Sequence, residues 1–366
     1  MSRVVHLHIG APKTGTTYVQ DRLTVNAAEL ARHGVHFPTG SRLVSPALFQ
    51  FRAALDLLGQ DWGGAPGHAE GSWDALMKRV RKLSGTVVIS HEILAPARPE
   101  RVDRALADLA GNEVHLVYSA RDLARALPAA WQESIKQGRK WSYRRFLRKA
   151  EKGTPWFARA FDVPSVLDTW GREIPPERIH VVTVPPRGTP RTPGADPLWL
   201  RFCEAFGIDP AWAPEDSTRT NPSLGGPETT LIRQLNRRLG RATRREAPYD
   251  SLVRDMLAQR ELVKRDSEPV RLPPAAYGWV EETTERWIEH LAASGVDVIG
   301  DLDDLRPVRP APDEPWHDPD KVKPRKRLQV SLDALAAMTH EAAHRPDPSQ
   351  RLVRKARANV GRLRRR

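Results

Sequence analysis

One cysteine in 366 residues excludes an internal disulfide framework, and nothing else in the chain asks for an oxidising compartment. That residue, Cys203, stands between Phe202 and Phe206, a setting that reads as the apolar face of a helix rather than as a nucleophile. Long apolar runs are also missing. No stretch approaches the roughly 20 residues that a membrane-spanning helix needs, and the N-terminus enters a strand pattern with no apolar leader core. A soluble cytoplasmic protein is the expectation. There is no internal repeat, which sets aside solenoids and propellers.

Excess charge is confined as well. The formal charge of +13 suggests nucleic acid or a membrane surface as partner. Residues 321–366, however, hold 14 Lys or Arg against 3 Asp or Glu, which leaves 44 against 42 for residues 1–320. The basicity belongs to the tail. A boundary precedes it, because residues 307–324 contain six prolines in eighteen positions. The expected organisation is a main domain over 1–305, whose part 241–300 is helical, then a proline-rich linker over 306–324 and a basic, partly disordered tail over 325–366. One amphipathic helix, 328–344, is expected inside that tail. The tail would touch anionic lipid or nucleic acid weakly through phosphates.

The body of the chain alternates two periods. Strand patterns fall at 3–9, 86–90, 114–118 and 178–184. Helical spacing falls between and after them, at 16–32, 47–58, 73–83, 101–109, 123–137, 161–170, 198–206 and 228–239, then at 251–263 and 275–293. Strands alternating with helices predict an α/β fold, a three-layer parallel sheet with helices on both faces, in which ligands bind beyond the carboxyl ends of the strands. Three polar clusters converge on that edge: Pro12-Lys13-Thr14-Gly15-Thr16-Thr17, His91-Glu92, and Ser119 to Arg121.

The first cluster joins the opening strand to a helix N-terminus through glycines, an arrangement that aims backbone N–H groups and the positive end of the helix dipole at an anion. Gly10 and Gly15 have the spacing of a nucleotide-binding phosphate loop. The residue after Gly15 is Thr16, though, and the lysine stands earlier, at Lys13.

With that displaced lysine, Pro12-Lys13-Thr14-Gly15-Thr16-Thr17 resembles the motif of bacterial, carbohydrate-type sulfotransferases, P-loop-related enzymes that use 3′-phosphoadenosine 5′-phosphosulfate (PAPS). The resemblance implies a P-loop-like sulfotransferase fold, with PAPS as co-substrate and no metal. It implies that Lys13 contacts the oxygen bridging phosphate and sulfate, and that Thr14, Gly15, Thr16 and Thr17 hold the 5′-phosphate. It further implies an arginine on the 3′-phosphate after the third expected strand, matched by Arg121. The serine that the family carries eight positions later is Ala129 here, so Ser119, Arg125 or Ser134 would have to substitute. Arg187 and Arg219 are further candidates for the same pocket.

Sulfuryl transfer needs positive charge on the leaving phosphate, a role for Lys13, and a base for the attacking hydroxyl. Either member of the strand-end pair His91-Glu92 could act, and the resemblance to carbohydrate-type enzymes, whose strand ends near a catalytic glutamate, favours Glu92. The acceptor stays open among sugar, lipid, peptide and small molecule. Two other classes share parts of this pattern: a P-loop-type nucleotide kinase, through the strand-loop-helix start, and a basic nucleic-acid-associated protein, through the tail.

Overall fold

The computed structural model describes residues 3–39, 44–190, 192, 195–219 and 223–345; the arginine-rich stretch 351–366 and residues 220–222, just after Arg219, lie outside them. Six parallel strands form one sheet in the order β2-β3-β1-β4-β5-β6: β1 (Val4–Gly10), β2 (Val35–His36), β3 (Thr86–Ser90), β4 (Glu113–Ala120), β5 (Ile179–Thr183) and β6 (Asp297–Ile299). The chain lays β2 and β3 on one side of β1, then crosses over to place β4, β5 and β6 on the other. The strand order therefore reverses at β1 and β4, the position where open α/β sheets hold ligands.

Alternation along β1 explains the two helical layers. Val5, Leu7 and Ile9 are fully buried in the larger apolar cluster, with helices α3 (Pro46–Leu58), α4 (Ser72–Val80), α5 (Pro99–Asp108) and α6 (Leu123–Lys136). On the opposite face lie α1 (Thr16–Val25) and α2 (Ala27–Arg32), as well as α10 (Pro197–Phe206), the tenth helix in chain order. There His6 and His8 meet Phe206 and Phe202 edge-on, at 5.8 and 5.1 Å between ring centroids. Cys203 is buried in this layer and free, as its neighbours suggested.

Several expected helices differ in detail, each for a local reason. The helix expected over 16–32 breaks at Asn26, whose amide bonds the carbonyls of Arg22 and Glu215 and so pins a distant loop where the helix would continue. The one expected over 161–170 is two, α8 (Trp156–Phe161) and α9 (Val163–Trp170), because Pro164 has no N–H to continue α8 and is tolerated in the first turn of α9. Between α6 and α8 comes α7 (Tyr143–Glu151), and α11 (Gly226–Arg238) follows α10. The single turn α12 (Ala247–Tyr249) then leads into a segment, Asp250–Glu261, wound as a π-helix. Such wide turns are often found at functional sites. Beyond α13 (Tyr277–Ser294), strand β6 was not anticipated, and nor was β2 at the opposite edge. At three and two residues they are too short to show alternation.

The proline-rich stretch does not stand apart from the domain. Asp320 caps α7 by accepting from the Tyr143 and Arg144 N–H groups at 3.1 and 3.2 Å, and its carboxylate lies 3.3 Å from Arg233. The helix α14 (Pro324–His344) buries Val330 and Ala334 in the main core. No helix among the described residues is long and apolar enough to cross a membrane.

Two expectations about stability follow. Asp320→Ala removes a cap and leaves Arg233 unpaired, so denaturant unfolding is expected to show a loss of about 1–2 kcal/mol. Burial lowers His6 and His8 from their ordinary 6.5 to about 3, with the charges of His115 and His180 adding to the effect on His6. Below 6.5 the unfolded chain binds protons that the folded chain refuses, so stability falls as pH drops from 6.5 toward 3. The two histidines together are expected to cost about 4 kcal/mol at pH 5. Melting curves across that range check it, and His6→Phe, which keeps the contact with Phe206, is expected to make the acid slope shallower.

Candidate functional site

The loop between β1 and α1 is shaped by close approach. Gly10 has φ +99°, and a Cβ there would stand 2.7 Å from the Glu92 Cα, so only glycine lets the two strand ends meet. The Ala11 N–H donates to the Ser119 carbonyl at 2.7 Å, and the Thr14 hydroxyl lies 2.5 Å from both the Ala11 carbonyl and Ser119 Oγ. These bonds clamp the loop to β4. Lys13 is the one non-glycine described residue with positive φ, 68°, a conformation held by its surroundings. Arg121 supplies part of that hold by donating from Nη1 to the Lys13 carbonyl at 2.9 Å.

Past the loop, no side chain caps the N-terminus of α1, and Thr16 Oγ1 is buried without a partner. Unpaired first-turn N–H groups with an orphan hydroxyl among them make a cradle for an oxyanion. Thr14 contributes shape rather than a free donor, since its hydroxyl is occupied inside the loop.

Two cavities meet at this loop. The smaller, about 600 Å³, lies between α6 and the loop after β5, and is lined by Arg121, Arg125, Ala129, Lys136 and Arg187. The larger is an open cleft of about 2560 Å³ that contains His91, Glu92, Glu133 and the π-helical segment. Lys13, Gly15 and Lys136 border both. In the smaller cavity Arg121 keeps a buried Nε without a partner, and burial lowers its pKa to about 10, with Arg125 nearby adding repulsion. It is still charged at neutral pH.

Ala129 faces this cavity, and none of the three side chains considered as substitutes is free to replace a serine there. Ser119 is shared between His8 and Thr14, Ser134 bonds the Trp131 carbonyl and Trp141, and Arg125 is held by Asp122 and the carbonyls of Val184 and Pro185. Arg219 pairs with Asp21 on the cleft side, whereas Arg187 is exposed on the wall of the smaller cavity.

Sequence reasoning overlooked the group that organises the centre. Glu133, on α6, lies 3.1 Å from Lys13 Nζ, 2.8 Å from Lys136 Nζ and 3.6 Å from Arg254 on the π-helical segment. Burial alone would raise its pKa, but the three cations outweigh that and hold it below the usual carboxylate range. The only sequence signal was the i,i+3 spacing of Glu133 and Lys136; the reach to Lys13 and Arg254 is long-range.

The strand-end pair divides its roles. His91 Nδ1 accepts from the Ile93 N–H at 3.3 Å, so in the neutral ring Nε2 carries the hydrogen, and burial lowers its pKa and keeps it neutral. Glu92 is partly exposed in the cleft, its carboxylate 3.7 Å from the neutral His91 ring.

No family model, curated protein or solved structure matches this chain.

Glu133→Gln is expected to lower stability by about 3 kcal/mol in urea, because it strands Lys13 and Lys136 in a largely buried position. A melting temperature equal to that of the unaltered protein would show that these cations relax into solvent instead.

Proposed function

We propose that this protein transfers a sulfuryl group from PAPS to a hydroxyl. The observation that carries the reading is Lys13, held beside an uncapped helix N-terminus at the junction of two cavities, one containing Arg121, the other opening onto Glu92. A donor nucleotide would span the junction: the N–H groups of Gly15 to Thr17 and the Thr16 hydroxyl, on the side of the larger cleft, would hold its 5′-phosphate, and Arg121, with Arg187 nearby in the smaller cavity, its 3′-phosphate. When bound, PAPS supplies an activated sulfuryl group. Thr14, bonded to the Ala11 carbonyl and Ser119, sets the curve of the loop.

On this reading Lys13 leaves Glu133 for the phosphate oxygen on which charge grows as the sulfur–oxygen bond breaks. Glu92 takes the proton from the attacking hydroxyl, and its acid form then returns the proton to solvent. His91, neutral and with Nδ1 committed to the Ile93 N–H, does not act as the base. Positioning and charge neutralisation carry the reaction, as in phosphoryl transfer.

Calorimetry with adenine nucleotides tests the reading. 3′,5′-Adenosine bisphosphate is expected to bind tighter than AMP or ATP by about 1.5–3 kcal/mol, the range for hydrogen bonds to charged groups. Arg121→Ala is expected to erase most of that preference, while Lys13→Ala weakens all three ligands. If ATP with Mg²⁺ binds best, the protein is a nucleotide kinase and the sulfotransferase reading falls. Separately, Glu92→Gln is expected to abolish transfer to an active acceptor with nucleotide affinity unchanged, since a base acts only when the hydroxyl reacts. Loss of activity in His91→Ala alone would reverse the roles.

A further inference from the structure

Exposed apolar side chains are not spread evenly over the described residues. Val25, Leu48, Trp62 and Leu200 are at most 40 % exposed and lie on separate elements, the single surface side chains that any protein carries. Leu328, Leu332 and Leu335 differ. They are 61, 56 and 63 % exposed, and all three stand on α14 at the spacing i, i+4, i+7 that makes one stripe along a helix. Val330 and Ala334, buried in the core, fall on the opposite side. The helix therefore has two apolar faces, one covered by the domain and one uncovered.

The uncovered face is held in place. Besides Val330 and Ala334, α14 is fixed by Lys326, 2.9 Å from Glu268, and by Asp333, which pairs with Arg265. It packs against α11 and the π-helical segment, so the leucine stripe cannot turn inward without breaking those contacts.

Charge on the helix points to what covers the stripe. Its acids are already matched, Asp333 by Arg265 and Glu341 by Arg345 at 3.2 Å. Arg325, one turn before Leu328, and Arg327, next to it, enter no ion pair among the described residues. Cations in the first turn also oppose the helix dipole, and no acid offsets them there, so α14 itself gains nothing from them. Residues 346–366, which follow the helix, add eight Lys or Arg against one Asp. An anionic bilayer answers both features, since its acidic headgroups take the cations and its acyl boundary takes the leucines. A nucleic acid would match the cations and leave the leucines in water. A second copy of the chain offers no unmatched acid of this helix, and three leucines fall well short of the roughly 800 Å² a side that a standard stable interface covers.

We infer that the outer face of α14 lies on an anionic lipid surface, with Leu328, Leu332 and Leu335 sunk to the boundary of headgroups and acyl chains and Arg325 and Arg327 among the acidic headgroups. The helix lies in the plane of the membrane rather than across it, because its other face belongs to the protein core. Nothing in this depends on the transferase reading.

Sedimentation of the full chain with vesicles of phosphatidylcholine, alone or with about one-third phosphatidylserine, tests it. Binding to the anionic vesicles is expected to be about tenfold or more tighter than to the neutral ones, and to weaken as salt rises. Leu328→Ala, Leu332→Ala and Leu335→Ala together are expected to weaken binding about tenfold or more without lowering the melting temperature, since alanine suits a helix and the leucines support no core. Arg325→Gln with Arg327→Gln is expected to cost about fivefold or more on anionic vesicles. Should the alanine triple melt early, Leu335→Ala alone is expected to weaken binding about threefold. Undiminished binding by the leucine variants would assign the attraction to the basic tail alone and overturn the inference. Equal binding to the two vesicles would do the same, as would a dimer in light scattering that the alanine triple dissolves, or a single-stranded oligonucleotide whose binding the triple weakens. Nucleotide plays no part in the assay, so failure here leaves the PAPS reading untouched, and a preference for ATP in the donor titration leaves this result standing.

Discussion

A buried carboxylate gathers the cations of this site into one place. Glu133 reaches Lys13 from the loop, Lys136 from its own helix and Arg254 from the π-helical segment, three elements separated widely in the chain. Without that negative charge the cations would repel one another across a largely buried junction, and Lys13 would lose the partner that holds it between the two cavities. The clamp also explains a conformation. Lys13 sits at φ 68°, where L-residues are unfavourable, and is fixed at its side chain by Glu133 and at its carbonyl by Arg121.

The sheet makes this arrangement possible. Because β1 runs between β3 and β4, its loop has strand ends on both sides: Glu92 crowds Gly10 from one, and Ser119 and Arg121 bond the loop from the other. Bonds to β4 consume the loop's own polar groups, Thr14 first, so the groups left over at Thr16 and the start of α1 are free for a ligand. Two cavities share Lys13, one a pocket between helix and loop and the other an open cleft.

The helical C-terminal part carried no motif, yet it completes the cleft. α11, the turn at Tyr249 and the π-helical segment back the α6–α7 turn and supply Arg237, Arg241 and Arg254. Residues 319–334 brace the same helices from outside, through Asp320 on α7 and Val330 in the core. The proline-rich composition was a true signal of irregular backbone but a poor guide to attachment, since a stretch without regular structure can still dock through caps and single side chains.

What the sequence by itself determined is local. Alternation and 3.6-residue spacing place the four longer strands and most helices, and the order Gly10, Lys13, Gly15, Thr16 marks the tight loop between β1 and α1, because glycine and a helix N-terminus act within a few residues. Convergence of Lys13, Glu92 and Arg121 on one sheet edge was likewise legible, since in a parallel sheet every strand delivers its carboxyl end to the same side. Tertiary structure alone decided the rest: the short edge strands β2 and β6, the break at Asn26, the occupation of Ser119, Arg125 and Ser134 by protein partners, and the junction at Glu133. Each depends on groups far apart in the chain whose meeting is set by packing rather than by pattern. Charge shows the difference most plainly, for the sequence counts residues 1–320 as nearly neutral, and only the fold draws Lys13, Lys136 and Arg254 together around Glu133.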